Sequence, residues 1–270
     1  MRRLTILLTA LVTLVLGVPG AAQAAPAYPT YVGSVGDSIT RGFDATLWGC
    51  FLSDCPAYSW ATGTSSSVPS HLRRIRAAQP GVTVTAWNTA RTGAKVAELD
   101  VQLAALDSRV QYVTVLIGAN DVCTSSASTM TSVDSFRAEF KGAVDAYLSA
   151  HPDARLFVSS IPDVYKLWSL FRSSSSAQNT WRSFGICQSM LASSNTETQR
   201  QAVVTRENAF NSIMAEACAA WAAQCRWDGG ATYAYSFITS EVSSVDYFHP
   251  SVSGQARLAN ITWAKSWWAA

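Results

Sequence analysis

Apolar runs and helical segments alternate along almost the whole chain, and this alternation is the feature that most limits the fold. Four runs are predominantly apolar, as strands are when both faces of a sheet are covered: Tyr31–Val35, Val82–Trp87, Tyr112–Ile117 and Leu156–Ile161. Five stretches have helical periodicity, at residues 68–78, 96–106, 133–150, 196–223 and 253–268. Such alternation joins parallel strands by right-handed crossovers. The sequence therefore predicts an α/β fold, with a mostly parallel central sheet between two layers of helices.

Two segments, at residues 47–63 and 165–194, have neither a strand nor a helix period. The second contains a run of serines, but also Cys187 and several large apolar residues, which favour an ordered loop over the edge of the sheet. No internal repeat or second domain is visible in the sequence. We therefore expect a single domain over residues 25–270.

The first 24 residues have the pattern of an export signal. Arg2 and Arg3 precede an apolar core at residues 4–17, and Ala22-Gln23-Ala24 is a small-residue cleavage site. The apolar core is too short and too close to the terminus for a stable membrane span. We therefore predict a cleaved signal peptide at residues 1–24 and a secreted protein without a stable membrane anchor. The paired arginines leave open whether export follows the general or the twin-arginine route.

The charge balance gives no support for a nucleic-acid partner. The 20 Lys and Arg residues fall to 18 when Arg2 and Arg3 are removed, which equals the 18 Asp and Glu residues. A chain without net positive charge lacks the basic stripe that nucleic acid requires. No heptad or other assembly pattern is visible either, so we expect a monomer without nucleic acid.

Six cysteines in an exported chain predict three disulfides, because oxidising compartments allow them and the number is even. Six cysteines can pair in fifteen ways. Two pairs are close in sequence and can close as local loops, which leaves one long-range pair. The predicted disulfides are Cys50–Cys55, Cys218–Cys225 and Cys123–Cys187. No C-x-x-C is present and no histidine lies within a few residues of a cysteine, so we predict no metal site.

A serine follows the first predicted strand, in the sequence Gly36-Asp37-Ser38, where a turn would present its hydroxyl at the edge of a parallel sheet. A serine nucleophile needs a base for its proton, and the chain has three histidines. His71 is expected to be exposed on an amphipathic helix, and His151 lies in a surface connection. His249 remains as the base. Asp246, three residues earlier, can bind one of its ring nitrogens while the other faces Ser38.

Two further residues, Gly93 and Asn120, also follow predicted strands. The carboxyl ends of parallel strands meet at one edge of a sheet, where ligands bind in folds of this class. Taken alone, each residue is typical of a turn. Together with the backbone N–H of Ser38, they could supply three donors to the charge that forms on a carbonyl oxygen. We interpret the neighbouring Asp37 and Asp121 as turn-stabilising residues without a catalytic role.

Four ordered sequence blocks resemble those of the SGNH hydrolase (GDSL lipase/esterase) superfamily: Gly36-Asp37-Ser38, Asn88-x-Ala90-x-x-Gly93, Gly118-x-Asn120-Asp121 and Asp246-x-x-His249. The resemblance covers nearly the whole chain after the predicted signal. It implies a flavodoxin-like three-layer α/β/α fold, a catalytic triad of Ser38, Asp246 and His249, and an oxyanion hole of Ser38, Gly93 and Asn120. The segments at residues 58–63 and 117–123 are similar to those of phospholipase-B-like members.

These features predict a secreted serine esterase that forms an acyl-enzyme and needs no metal or other cofactor. Apolar residues in the loops near the site favour lipid or phospholipid acyl esters, with transient contact to a lipid surface: Phe51, Leu52, Leu167, Trp168, Leu170 and Phe171. Tryptophans also stack on sugars, so a carbohydrate acetyl esterase is the alternative. A secreted binding protein that keeps the fold without chemistry is a third reading, although no expected catalytic residue is missing.

Overall fold

A five-stranded parallel sheet forms the centre of the structure. The computed structural model describes residues 25–269, and the strands in that range are β1 (Tyr31–Gly36), β2 (Thr85–Asn88), β3 (Tyr112–Leu116), β4 (Arg155–Val158) and β5 (Cys225–Trp227). The strand order is β2-β1-β3-β4-β5, and every neighbouring pair is parallel. The predicted α/β fold is confirmed. β5 was not predicted from the sequence, because its three residues are too few to show a strand pattern.

Helices cover both faces of this sheet. Those in the described part of the chain are α1 (Ser38–Arg41), α2 (Leu47–Cys50), α3 (His71–Ala78), α4 (Leu99–Ala104), α5 (Ala119–Val122), α6 (Val133–Ala150), α7 (Val164–Phe171), α8 (Ser175–Phe184), α9 (Gln188–Leu191), α10 (Glu197–Ala220), α11 (Ala231–Ala234) and α12 (Val252–Trp263). Single 3₁₀ turns lie at Pro56–Tyr58, Val96–Glu98, Ala127–Thr129 and Thr239–Glu241. All five predicted helical stretches therefore contain a helix.

Alternate residues of each strand enter two separate apolar cores. In β3, Val113 and Val115 pack with α4, α6 and α10 on one face. Tyr112 and Leu116 pack with α3 and α12 on the other face. Because successive side chains of a strand point to opposite faces, this division places the sheet between two helical layers. The arrangement is the expected α/β/α sandwich.

The segment at residues 165–194 is helical, which corrects the expectation of a loop. α7, α8 and α9 occupy most of it. Asp163 and Ser174 cap α7 and α8, since their side chains accept hydrogen bonds from backbone N–H groups of the first turn. The three helices are short and are separated by residues 172–174 and 185–187, so no single helical period runs through the segment.

His71 is buried, contrary to the predicted exposure. It shares the inner face of α3 with Leu72 and Ile75 and has 0% of its surface exposed. Tyr112 donates its hydroxyl proton to Nδ1 at 2.7 Å, and Nε2 bonds to Thr262 Oγ1 at 2.9 Å. Burial lowers the pKa of His71 to about 3. This histidine is therefore a neutral structural residue.

The described residues contain three disulfides, and these join the predicted pairs Cys50–Cys55, Cys123–Cys187 and Cys218–Cys225. The longest, between Cys123 and Cys187, ties the segment after α5 to the segment before α9. Residues 1–24, where the signal peptide is predicted, lie outside the described residues. Over residues 25–269, no helix is both long and apolar enough to cross a membrane.

Candidate active site

Ser38 lies in a tight connection between β1 and α1. Gly36 adopts a φ of 141°, and a Cβ at this position would lie 2.1 Å from the carbonyl oxygen of Leu116. Asp37 caps α1 by accepting a hydrogen bond from the N–H of Ile39 at 2.9 Å. The chain therefore turns directly from strand to helix, which places the first helical residue, Ser38, at the carboxyl end of β1.

The imidazole of His249 joins Ser38 to Asp246. Its Nε2 lies 2.7 Å from Ser38 Oγ, although the two residues are 211 positions apart. Its Nδ1 is hydrogen-bonded to Asp246 Oδ2. Because an ionised carboxylate can only accept, Nδ1 carries the proton and Nε2 is left to accept from the serine hydroxyl. The structure thus brings the three residues of the predicted triad into one hydrogen-bonded chain.

Backbone donors hold the carboxylate of Asp246 in place. Its Oδ1 accepts from the N–H groups of Phe248 and His249, at 2.8 and 3.0 Å. Tyr247 adopts a left-handed φ of 55°, which lets the segment fold back over the carboxylate. Asp246 and His249 therefore project from one turn, as their three-residue spacing predicts.

The electrostatics favour an ionised aspartate and a basic imidazole. Burial alone would raise the pKa of Asp246, but His249 and the backbone N–H groups lower it overall. Burial would likewise lower the pKa of His249, but Asp246, and more weakly Asp37 and Asp44, raise it overall. Such an imidazole can take up a proton from Ser38 and remain stabilised as the cation.

Gly93 and Asn120 lie on adjacent loops at the same edge of the sheet. Gly93 follows β2 and has a φ of 84°, with open space where a side chain would be. Asn120 belongs to the first turn of α5, and its Nδ2 donates to the carbonyl oxygen of Ala94 at 2.9 Å. An amide nitrogen carries two protons, so Asn120 keeps a second donor while it fixes the Gly93 loop.

Asp121, next to Asn120, is a structural residue, in agreement with its interpretation from the sequence. Its Oδ2 accepts from the N–H of Val96 at 2.9 Å, and its Oδ1 from the hydroxyl of Thr131 at 2.7 Å. These bonds fix α5 against two neighbouring segments.

A largely apolar cavity that is open to solvent begins beside these residues. Ile39 and Ala119 form the wall nearest to Ser38 and Asn120, and Phe248 lies next to His249. Leu167 and Leu170 of α7 line the wall farther from the serine. Immediate sequence neighbours of Ser38, Asn120 and His249 thus line a largely hydrophobic space.

Asp44 is a residue of the site that the sequence analysis missed. Asp44, Asp246 and His249 each place one ligand-type atom within 4.8 Å of the other two. Two carboxylates and an imidazole are a donor set that could hold a metal ion. Both nitrogens of His249 are already engaged, with Ser38 and Asp246, so the set fits a hydrogen-bonded array better than a metal centre.

A sequence profile of the GDSL-like lipase/acylhydrolase family matches residues 32–262. Among curated protein sequences, no match is found.

Solved structures with the same fold include an extracellular lipase from Streptomyces rimosus, which is 17% identical, with a TM-score of 0.53 and coverage of 88% of this chain and 100% of the lipase. Phospholipase A1 from Streptomyces albidoflavus is 15% identical, with a TM-score of 0.52 and coverage of 88% and 100%. The acetyl xylan esterase Axe2 from Geobacillus stearothermophilus is 15% identical, with a TM-score of 0.51 and coverage of 87% and 94%. At such identities these structures share the fold, and their substrates differ.

Proposed function

We propose that this chain, which belongs to the GDSL-like lipase/acylhydrolase family and is a carboxylic ester hydrolase, cleaves acyl esters of lipids. The profile match at residues 32–262 includes every residue of the candidate site. The further assignments, namely the lipid substrate, the role of each residue and secretion, are supported by the contacts described above and by those that follow.

Catalysis begins with transfer of the Ser38 proton to His249. As Oγ attacks the carbonyl carbon of the ester, Nε2 of His249 accepts the proton over the 2.7 Å contact. The resulting imidazolium is stabilised by the carboxylate of Asp246, which accepts the hydrogen bond from Nδ1–H. The same proton then passes to the leaving alcohol, which departs as the acyl-enzyme forms. Water repeats the sequence to release the acid and restore Ser38.

Negative charge on the tetrahedral intermediate would be held by hydrogen-bond donors. The backbone N–H groups of Ser38 and Gly93 and the second amide proton of Asn120 are the candidate donors. Asn120 is held in place by its bond to Ala94, so the donor would not need to reorganise during the reaction. In a site that excludes water, fixed donors of this kind stabilise the transition state more than mobile donors do.

The apolar cavity is the observation that carries the lipid assignment. Ile39, Leu167, Leu170 and Phe248 are among its lining residues. Its charged side chains are already paired: Lys166 lies 3.7 Å from Asp163, and Glu241 binds Arg257. An acyl chain gains about 0.8 kcal/mol for each methylene that it buries, whereas an acetyl group offers only one methyl group to this lining.

The loop around α2 offers a surface for contact with a lipid aggregate. Leu47, Trp48, Phe51 and Leu52 are all exposed, Trp48 by 84%. No charged residue lies between Thr46 and Ser53, and the Cys50–Cys55 disulfide closes the loop. Exposed apolar clusters of this kind mark interaction surfaces.

The exposed loop continues into the site. Phe51 and Leu52 line a second cavity together with Phe184 and His249. A lipid that contacts the loop would therefore lie close to the proposed base. Three disulfides in the described residues are typical of an oxidising compartment, which supports the secretion predicted from residues 1–24.

A carbohydrate acetyl esterase is the second candidate function. The acetyl xylan esterase Axe2 shares the fold, and the exposed indole of Trp48 could stack on a sugar ring. A binding protein without catalysis is disfavoured, because the chain belongs to a family of ester hydrolases.

The two substrate classes are separated by one release assay. Fatty acid released from dioleoylphosphatidylcholine vesicles and acetate released from acetylated xylan are measured with the same purified protein, with Ser38→Ala as the inactive control. We expect fatty acid to be released faster, and EDTA to leave the rate unchanged. Release of acetate without measurable fatty acid would contradict the lipid assignment.

A further inference from the structure

Asp44 is a buried carboxyl that the proposed reaction does not yet use. It lies in the turn after α1, has 0% of its surface exposed, and adopts a left-handed φ of 53°, which is uncommon for a residue with a side chain. Its Oδ1 accepts from the N–H of Leu52 at 2.5 Å. Its Oδ2 has no hydrogen-bond partner among the described residues, although a buried carboxyl oxygen in that state is costly.

Two side chains of the triad lie close to this carboxyl. One oxygen of Asp44, one of Asp246 and one ring nitrogen of His249 lie within 4.8 Å of one another. Two carboxyl groups this close cannot both ionise without repulsion. Asp246 already accepts three N–H donors, so it is the member that stays ionised. A proton shared by the pair therefore resides on Asp44.

Backbone contacts fix Asp44 against the triad segment. The hydroxyl of Ser243 donates to the carbonyl oxygen of Asp44 at 2.5 Å. The N–H of Ser243 donates to the carbonyl oxygen of His249 at 2.8 Å, and the N–H of Val252 donates to that of Ala45 at 2.9 Å. The turn that carries Asp44 and the turn that carries His249 are thus held as one unit, so their side chains keep a constant separation.

We propose that Asp44 is a positioning residue that acts through Asp246 and sets the proton affinity of His249, an inference that rests on the proposed catalytic roles of these two residues. When protonated, Asp44 donates a hydrogen bond to the Asp246 carboxylate. When it loses that proton to solvent, it adds a second negative charge behind the imidazole and stabilises the imidazolium. Asp37, at the start of α1, is the other carboxyl that faces His249.

The direction of the effect follows from the order of titration. Burial and the neighbouring Asp246 raise the pKa of Asp44 to about 6. The pKa of His249 is raised above its ordinary value, so Asp44 is ionised over most of the range in which His249 titrates. Removing the charge of Asp44 must therefore lower the pH at which His249 becomes a base.

The substitution Asp44→Asn tests whether the charge of Asp44 raises the pH at which His249 becomes a base. Asp54→Asn is the matched control. Asp54 is an aspartate of the same loop that binds Arg41 and Thr92 instead of the triad. The readout is the acid limb of kcat/KM for p-nitrophenyl butyrate, which reports ionisation of the free enzyme. On the part of that limb above about pH 6, where Asp44 is ionised in the wild type, we expect Asp44→Asn to keep a fraction of its plateau rate about fourfold larger than wild type. This is the effect of one charge about 5 Å away in a highly polar medium.

The control and the alternatives give distinct results. Asp54→Asn should leave the limb in place. If Asp44→Asn lowers thermal stability or activity equally at every pH without moving the limb, Asp44 is only structural and the inference is overturned. In contrast, absence of ester hydrolysis in the wild-type protein, or full activity in Ser38→Ala, would refute the proposed catalytic roles of Ser38 and His249. The short ester reports His249 whatever the natural acyl group is.

Carbon NMR of the wild-type side-chain carboxyls covers the case in which Asp44→Asn does not fold. We expect Asp44 to titrate near pH 6. Its resonance should move again when a phosphonate on Ser38 holds His249 as the imidazolium. An Asp44 resonance that titrates in the ordinary aspartate range and does not move when the phosphonate is bound would overturn the inference.

Discussion

Leu167→Trp should shorten the acyl chain that the enzyme accepts. Leu167 lies on α7 and lines the apolar cavity together with Leu170, and an indole at this position would occupy the space that an acyl chain needs. If the wild-type cavity buries about four methylenes of an octanoyl group beyond the acetyl carbons, it contributes about 3 kcal/mol. Losing that contribution would lower the octanoate-to-acetate ratio of kcat/KM by about 200-fold.

The assay compares p-nitrophenyl acetate, butyrate and octanoate as substrates of the wild type, Leu167→Trp and Ser169→Trp. Ser169 lies on the same helix but is exposed and does not line the cavity, so it controls for a bulky ring on α7. The acetate rate should stay near that of the wild type in both variants. An unchanged octanoate-to-acetate ratio in Leu167→Trp, or an equal fall in Ser169→Trp, would refute the assignment of this cavity to the acyl chain.

Two other variants test the oxyanion site and the histidine excluded from it. Asn120→Ala should lower kcat by about 100-fold to 1000-fold with little change in KM, because one fixed donor is worth about 2.7–4 kcal/mol in the transition state; a small loss would assign the oxyanion to other donors. His71 has its pKa lowered by burial to about 3, whereas an unfolded histidine titrates near 6.5, so acid favours the unfolded chain. Urea unfolding should therefore show the stability advantage of wild type over His71→Gln falling by about 2 kcal/mol between pH 7 and pH 5, and a constant difference would contradict the neutral buried state.

The sequence was sufficient for the fold class because parallel strands are buried on both faces and have few polar interruptions. It was insufficient where elements are short. β5 has three residues, and α7 to α9 are interrupted at residues 172–174 and 185–187, so no single strand or helix period extends over these segments. α7 nevertheless supplies part of the cavity wall, including Leu167 and Leu170.

The residues of the site were likewise predicted only in part from the sequence. Ser38 and His249 are recognisable from their local sequences and their order, and the structure brings them together. His71 was assigned to the surface because two arginines follow it, although its helical position beside Leu72 and Ile75 places it inside. Asp44 has no motif of its own, and its proximity to the triad exists only after two distant turns have packed together.

The central claim is that Ser38 is the nucleophile activated by His249, and covalent labelling tests it most directly. The wild-type protein is treated with a fluorophosphonate, and the modified residue is located by mass spectrometry, beside Ser38→Ala and His249→Ala. We expect stoichiometric modification of Ser38 in the wild type and none in Ser38→Ala. In His249→Ala, labelling should be slower and ester hydrolysis lower by at least about 1000-fold. A label on a different residue, or undiminished ester hydrolysis by Ser38→Ala, would contradict the claim.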